Sequence, residues 1–72
     1  MTIAENLYQK WNAHSFLRFR SLCERFKIKY SYVCDIFNLR FTHVYTFKDG
    51  SSLSFGSEYQ NNKTNYFCGV NK

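Results

Sequence analysis

The chain has 72 residues, and a chain of that length buries only about 60% of the surface that its unfolded form exposes, so we expect one small domain at most. Lys and Arg number 10 and Asp and Glu number 5, which gives a net charge of +5. Three cysteines with no CxxC pair argue against a disulfide framework and against a redox or zinc motif of that spacing. No signal peptide or membrane-spanning run is recognisable, so we expect a cytoplasmic chain with reduced thiols.

The N-terminal segment predicts a helix. Thr2 and Glu5 have the spacing of a capping box, in which each side chain accepts a hydrogen bond from the other residue's backbone N–H. Ile3, Leu7 and Trp11 recur every four residues and form one apolar stripe over about three turns.

A second helix is predicted after a break near Asn12. Ser15 is placed to cap its N-terminus. Apolar residues then continue at helical spacing, at Phe16, Phe19, Cys23 and Phe26.

The segment "FTHVYTFKDGSSLSF" predicts a β-hairpin with a three-residue loop at 48–50 and a bulge at Gly50. This register places Tyr45 opposite Leu53 and His43 opposite Phe55. The apolar residues then share one face: Phe41, Tyr45, Phe47, Leu53 and Phe55. After Gly56 the chain is polar and rich in Asn, which predicts a loop followed by a short strand near Tyr66.

Residues 27–33 are compatible with two structures. The β-forming side chains of Ile28, Tyr30, Tyr32 and Val33 favour a strand. The spacing of the apolar residues from Leu22 to Ile36 instead fits two helices that cross at a steep angle.

The segment "SLCERFKIKYSYVCDIFN" resembles the helix-turn-helix of bacterial and phage DNA-binding proteins, over about a third of the chain. The following "RFTHV" resembles the tail of such helices in some phage proteins. With the hairpin next, the resemblance implies an α+β, mainly helical fold over residues 1–72: a winged helix-turn-helix with three helices followed by a β-hairpin. It further implies duplex DNA binding by a small transcriptional regulator of a phage or mobile element. One copy of so small a protein contacts a short half-site, so we expect a homodimer, joined through the first helix or the tail from Tyr66 to Val70.

The resemblance assigns a recognition helix to residues 30–39. Its expected base contacts come from Ser31, Tyr32 and Asn38, since asparagine is the usual partner of adenine. Tyr30 and Tyr32 either pack against thymine methyl groups and sugars or lie under the hairpin. The residues assigned to DNA phosphates are Lys27, Lys29, Arg40 and Lys48. Six basic and two acidic residues between Arg18 and Arg40 also favour a polyanionic partner.

Nothing in the sequence indicates an enzyme, a metal site or a cofactor site. No glycine-rich phosphate loop or Ser/His/Asp set is present, and a carboxylate such as Asp35 beside Cys34 disfavours the thiolate. His43 lacks neighbours at metal-ligand or triad spacing and is interpreted as structural, and His14, in the break between the two helices, is interpreted as a surface or capping residue.

Two other functions follow if residues 27–33 form a strand. The fold is then two helices plus an antiparallel β-meander, and the protein is a protein-binding module, an inhibitor or accessory factor, that contacts a host protein through exposed tyrosines. The same exposed rings could instead stack the bases of single-stranded nucleic acid.

Overall fold

A computed structural model describes residues 1–71; residue 72, the last of the predicted domain 1–72, lies outside the described part. Two helices precede four strands: α1 (Ile3–Tyr8), α2 (Phe16–Phe26), β1 (Lys27–Asp35), β2 (Arg40–Phe47), β3 (Ser52–Gln60) and β4 (Lys63–Asn71), with a 3₁₀ turn at Trp11–Ala13. The strands form one antiparallel sheet in the order β1-β2-β3-β4, so each hairpin joins neighbours.

The prediction of a mainly helical winged helix is wrong. Strands hold 49% of the chain and helices 28%, so the sheet and not the helices makes up most of the fold. The architecture is two helices and a β-meander, as expected when residues 27–33 form a strand.

The predicted recognition helix at residues 30–39 is strand β1 followed by a turn. Lys27 has an extended backbone (φ −67°, ψ 150°), so α2 passes into β1 without a connecting loop. The β-forming side chains prevail because β1 pairs with β2 along its length, and this pairing brings the Tyr30 ring within 4.9 Å of the Tyr45 ring. A helix-turn-helix is therefore absent from this part of the chain.

The predicted helix starts are confirmed. Thr2 and Glu5 form the capping box of α1, and the Ser15 hydroxyl accepts a hydrogen bond from the Arg18 N–H at 3.3 Å. Helix α1 is shorter than predicted, since it ends at Tyr8 and Trp11 lies in the 3₁₀ turn.

The β2–β3 hairpin has the predicted loop and register. Gly50 has a φ of 86° and donates a hydrogen bond from its N–H to the Phe47 carbonyl at 3.0 Å. Tyr45 pairs with Leu53 and His43 with Phe55. The loop also holds α1, because the Ile3 N–H donates to Asp49 Oδ2 at 2.8 Å.

The segment after Gly56 is not the predicted loop. Strand β3 continues to Gln60, and β4 begins at Lys63. The two residues between them, Asn61 and Asn62, have φ values of 53° and 63°, which asparagine tolerates better than most residues. Together they form the kind of two-residue turn that suits the twist of a hairpin.

The core lies between the helices and one face of the sheet, the inner face. The fully or almost fully buried apolar residues are Ala4, Leu7, Phe19, Cys23, Tyr45, Phe47, Leu53 and Phe55. Alternate strand residues point to the opposite, outer face. This core includes four of the five residues that the hairpin register placed on one face, and Phe41 is half-buried.

Candidate functional site

The helices leave one end of the inner face open. We call the end with the turns at 36–39 and 61–62 the distal end of the sheet. Phe16, at the start of α2, reaches Tyr66 with a ring separation of 5.3 Å. Tyr45, Leu53 and Phe55 are fully buried. Tyr66, the next inner-face residue of β4 after Cys68 in the direction of the distal end, is 60% exposed.

Aromatic side chains fill the open end. The strand register places them on the inner face of four different strands, and we call them the distal patch: Tyr32, Phe41, Tyr59 and Tyr66. Three of them are exposed tyrosines, and Phe41 is half-buried. Exposed apolar surface of this kind, when contiguous, marks interaction sites in soluble proteins.

The β1–β2 turn continues this surface with apolar side chains. The hairpin tip, residues 36–39, carries Ile36, Phe37 and Leu39, and Phe37 is 99% exposed. Leu39 has a φ of 51°, which is costly for a residue with a branched side chain. The turn thus holds large apolar groups in water at a cost in stability, which favours a role in binding.

Asp35 and Asn38 hold the hairpin tip in one conformation. The Asn38 side chain donates to Asp35 Oδ2 at 2.8 Å, and the Asn38 N–H donates to Asp35 Oδ1 at 3.2 Å. These hydrogen bonds, that of the side chain first, lower the pKa of the Asp35 carboxyl. The Tyr59 N–H also donates to the Leu39 carbonyl at 3.0 Å, which ties the tip to β3.

His43 joins the distal patch to the core. Its ring centre is 5.0 Å from that of Tyr32 and 5.9 Å from that of Phe55. The Tyr30 hydroxyl lies 2.8 Å from His43 Nδ1. Burial first, and then the positive charge of Arg20, lower the pKa of His43, which favours the neutral imidazole that can accept this hydrogen bond.

Acidification below pH 6.5 should destabilise the fold through His43. Because its pKa is lower in the folded state than the ordinary 6.5, the unfolded chain binds more protons, so this stability is present above pH 6.5 and is lost as pH falls toward the folded pKa. One linked proton changes the free energy of unfolding by at most about 1.4 kcal/mol per pH unit. Urea titrations between pH 7 and about 5 measure this slope.

Replacement of His43 tests this assignment. His43→Gln should flatten the dependence of stability on pH. An unaltered slope in His43→Gln would assign the pH dependence to other groups.

The distal end carries no excess of positive charge. Of the described residues, Asp35, Arg40, Glu58 and Lys63 are the charged ones there, and their formal charges cancel. Arg40 Nη1 lies 3.7 Å from Glu58 Oε2, and the guanidinium is 4.4 Å from the centre of the Phe67 ring. Two basic residues, Arg18 and Arg25, lie elsewhere, in a groove of about 210 Å³ that His14, Ser21 and Leu22 also line.

The structure does not bring the eight predicted DNA-binding residues together. Lys29 and Ser31 lie on the outer face of β1, whereas Tyr30 and Tyr32 lie on the inner face. Asn38 belongs to the hairpin tip.

The remaining three predicted residues lie at opposite ends of the sheet. Lys27 starts β1 with its Nζ 2.9 Å from Glu24 Oε1, and Arg40 starts β2. Lys48, in the β2–β3 loop, is the length of strand β2 away from Arg40, roughly 23 Å at the usual rise per residue. Only Tyr32 and Asn38 therefore belong to the distal patch and hairpin tip.

Cys23 is buried, Cys68 is half-buried and Cys34 is exposed. Burial raises the pKa of Cys23 to about 12 and that of Cys68 to about 12, so neither forms a thiolate near neutral pH. Among residues 1–71, no group of His, Cys, Asp and Glu side chains could hold a metal ion.

Comparison of the chain with protein-family models, with curated proteins and with solved structures finds no match. Neither helix in the described part of the chain has the length and apolar character needed to cross a bilayer.

Sequence patterns alone missed Ile36, Phe37, Leu39, Tyr59 and Tyr66 as site residues. One signal was present: once residues 27–35 are taken as a strand, "IFNL" becomes a turn segment, and three large apolar residues in a turn are unusual. Tyr59 had no such signal, because a loop and not a strand was expected there, and no register was predicted for the short strand near Tyr66 that would place its side chain on the inner face.

Proposed function

We propose that this chain is a non-catalytic protein-binding module that contacts a partner protein through the distal patch and hairpin tip. The observation that carries the proposal is Phe37, a phenylalanine 99% exposed on a turn that is fixed by side-chain hydrogen bonds. Binding sites gain most of their affinity from a few aromatic anchors that enter pockets of the partner. A rigid turn lowers the conformational entropy lost on binding.

The free energy gained by burying a large apolar side chain favours Phe37 as the main anchor. Full burial of a phenylalanine side chain contributes about 1.5 to 3 kcal/mol. Ile36 and Leu39 flank it, and the tyrosines behind it offer apolar rings with polar tips, as the rim of a protein interface requires. The partner surface should accordingly be an apolar pocket surrounded by hydrogen-bonding groups.

The charge distribution disfavours single-stranded nucleic acid as the ligand of the distal patch. Proteins that stack bases on aromatic side chains combine them with a positively charged groove along the phosphate backbone. Here the charges at the distal end cancel, and the groove lined by Arg18 and Arg25 lies on the helix side.

Duplex DNA binding by a phage or mobile-element regulator stays a prediction. The segment that was predicted to be its recognition helix is a strand and a turn, so a duplex contact through such a helix would have to use another element. The basic groove beside α2, with Arg18 and Arg25, is the surface that remains for such a contact.

Site-specific photo-crosslinking tests the protein-binding proposal. A benzophenone amino acid at position 37, in the chain expressed in its native cells, should give one discrete light-dependent adduct with another protein. Position 48 is the control, since Lys48 is exposed in the β2–β3 loop, at the opposite end of the sheet from the hairpin tip. Excess wild-type chain should compete for the adduct.

Three results would contradict the proposal. They are no adduct from position 37, the same adducts from positions 37 and 48, and an adduct whose mass corresponds only to two 8.7 kDa chains.

A further inference from the structure

Strand β1 is an edge of the sheet. Its neighbour on one side is β2, and no strand of residues 1–71 lies on its other side. An edge strand presents unpaired backbone N–H and C=O groups, which form a template for pairing with another strand. Proteins usually block such edges with proline, charged side chains (lysine above all), bulges or a covering segment.

Between its charged ends, Lys29 and Asp35, the β1 edge lacks this protection. The pairing with β2 is irregular between Lys27 and Lys29, which makes Ile28 a bulge, but from Lys29 to Asp35 the register is regular. This regular segment has β-forming residues at its centre, and Tyr32 and Val33 are both at least half exposed. The other edge, β4, is a poorer template, with small or polar residues at Thr64, Asn65, Gly69 and Asn71.

The regular segment of β1 is complementary to itself. If two copies pair antiparallel with Tyr32 at the two-fold axis, every residue of the segment has a partner, and inner-face residues stay opposite inner-face residues. Lys29 then lies opposite Asp35 of the second copy on the outer face, and symmetry repeats this pair at the other end. Tyr32 faces Tyr32 of the second copy, and Ser31 faces Val33.

We propose that two copies of this chain associate through their β1 edges, in this register, to form one eight-stranded sheet. Opposite charges at both ends favour the register, because shifting it by two residues separates Lys29 from Asp35 of the second copy. The helices of both copies lie on the same side of the joined sheet. The hairpin tips lie outside the paired segment. Of the surface proposed for a partner protein, only Tyr32 belongs to both interfaces.

Charge reversal at the end of the segment tests the pairing. Wild-type chain should sediment as two 8.7 kDa units at high micromolar concentration. Lys29→Glu places two carboxylates opposite each other at both ends, and should raise the dissociation constant at least about tenfold. Lys48→Glu makes the same charge change in the β2–β3 loop and should leave the dimer unchanged.

A second substitution tests the identity of the facing residue. Adding Asp35→Asn to Lys29→Glu removes the repulsion and should restore most of the affinity, while the amide introduced at position 35 still provides an oxygen for the N–H of Asn38. A wild-type chain that is monomeric at all accessible concentrations would overturn the proposal, as would equal weakening by Lys29→Glu and Lys48→Glu.

Disulfide trapping fixes the register independently of charge. In a Cys34→Ser background, Tyr32→Cys places two thiols at the two-fold axis and should yield a disulfide-linked dimer under mild oxidation. Lys29→Cys should not, because the two copies of residue 29 would be six residues apart along the strands, roughly 20 Å. Equal trapping at both positions would exclude this register.

The experiments distinguish failure of the dimer proposal from failure of the partner-protein proposal. Lys29→Glu should leave the photo-crosslink from position 37 intact. Conversely, Phe37→Ala should leave the dimer intact, since the hairpin tip lies outside the paired segment.

Discussion

Gly56→Ala is expected to lower the free energy of unfolding by about 3 kcal/mol, a large part of the roughly 4 to 11 kcal/mol that a chain of 72 residues has. Gly56 lies within β3, between Thr42 on β2 and Phe67 on β4. A β-carbon built at this position overlaps the backbone carbonyl of Phe41. The overlap cannot be relieved by rotating a side chain, so the ladder between β2 and β3 would have to separate.

Gly69→Ala is the matched control, because Gly69 also lies within a strand and a β-carbon there meets no atom within 4 Å. Both glycines have negative φ, so alanine can adopt either backbone conformation. We expect Gly69→Ala to change stability by no more than about 0.5 kcal/mol. Urea unfolding followed by circular dichroism measures both, and equal losses would show that the Phe41 carbonyl is not the cause.

The sequence was sufficient where local chemistry decides the structure. Thr2 and Ser15 have the side chains that cap helices, and Gly50 supplies the positive φ that closes the β2–β3 loop. The alternation of apolar and polar residues from Phe41 to Phe55 fixes the strand register, because a shift by one residue would move every apolar side chain to the outer face.

The segment from Lys27 to Leu39 could not be decided locally, because its side chains fit both a helix pair and a strand. What decides it is a long-range contact: Tyr30 packs against Tyr45, fifteen residues later, and its hydroxyl reaches His43. The energy of such contacts depends on the sheet that the rest of the chain forms. The spacing of apolar residues within a short segment carries no information about that sheet.

The candidate site could not be predicted from the sequence for a related reason. Exposure is a property of the folded molecule: Phe37 and Phe55 are the same residue type, yet the first is 99% exposed and the second is fully buried. The run of basic residues between Arg18 and Arg40 likewise indicated one charged surface. The passage from α2 into β1 instead distributes those residues over the helix, both faces of β1 and the distal end.

Phe55→Ala is expected to destabilise the fold by about 3 to 5 kcal/mol, the range for removing a fully buried phenylalanine. The Phe55 ring contacts those of Phe19 at 5.1 Å, Tyr45 at 5.5 Å and Phe16 at 5.7 Å, so its loss leaves a cavity between helices and sheet. Phe55→Leu, which keeps most of the volume, should cost clearly less and remain folded for measurement.

Phe37→Ala separates stability from binding, because the same chemical change at an exposed site removes almost no buried surface. It should alter the free energy of unfolding by no more than about 0.5 kcal/mol, yet a chain that carries it should fail to compete for the photo-crosslinked partner. Phe55→Leu should still compete in proportion to its folded fraction. If Phe37→Ala instead competes as well as the wild type, Phe37 is not the anchor. If it unfolds the chain, the hairpin tip belongs to the fold and not to an interface.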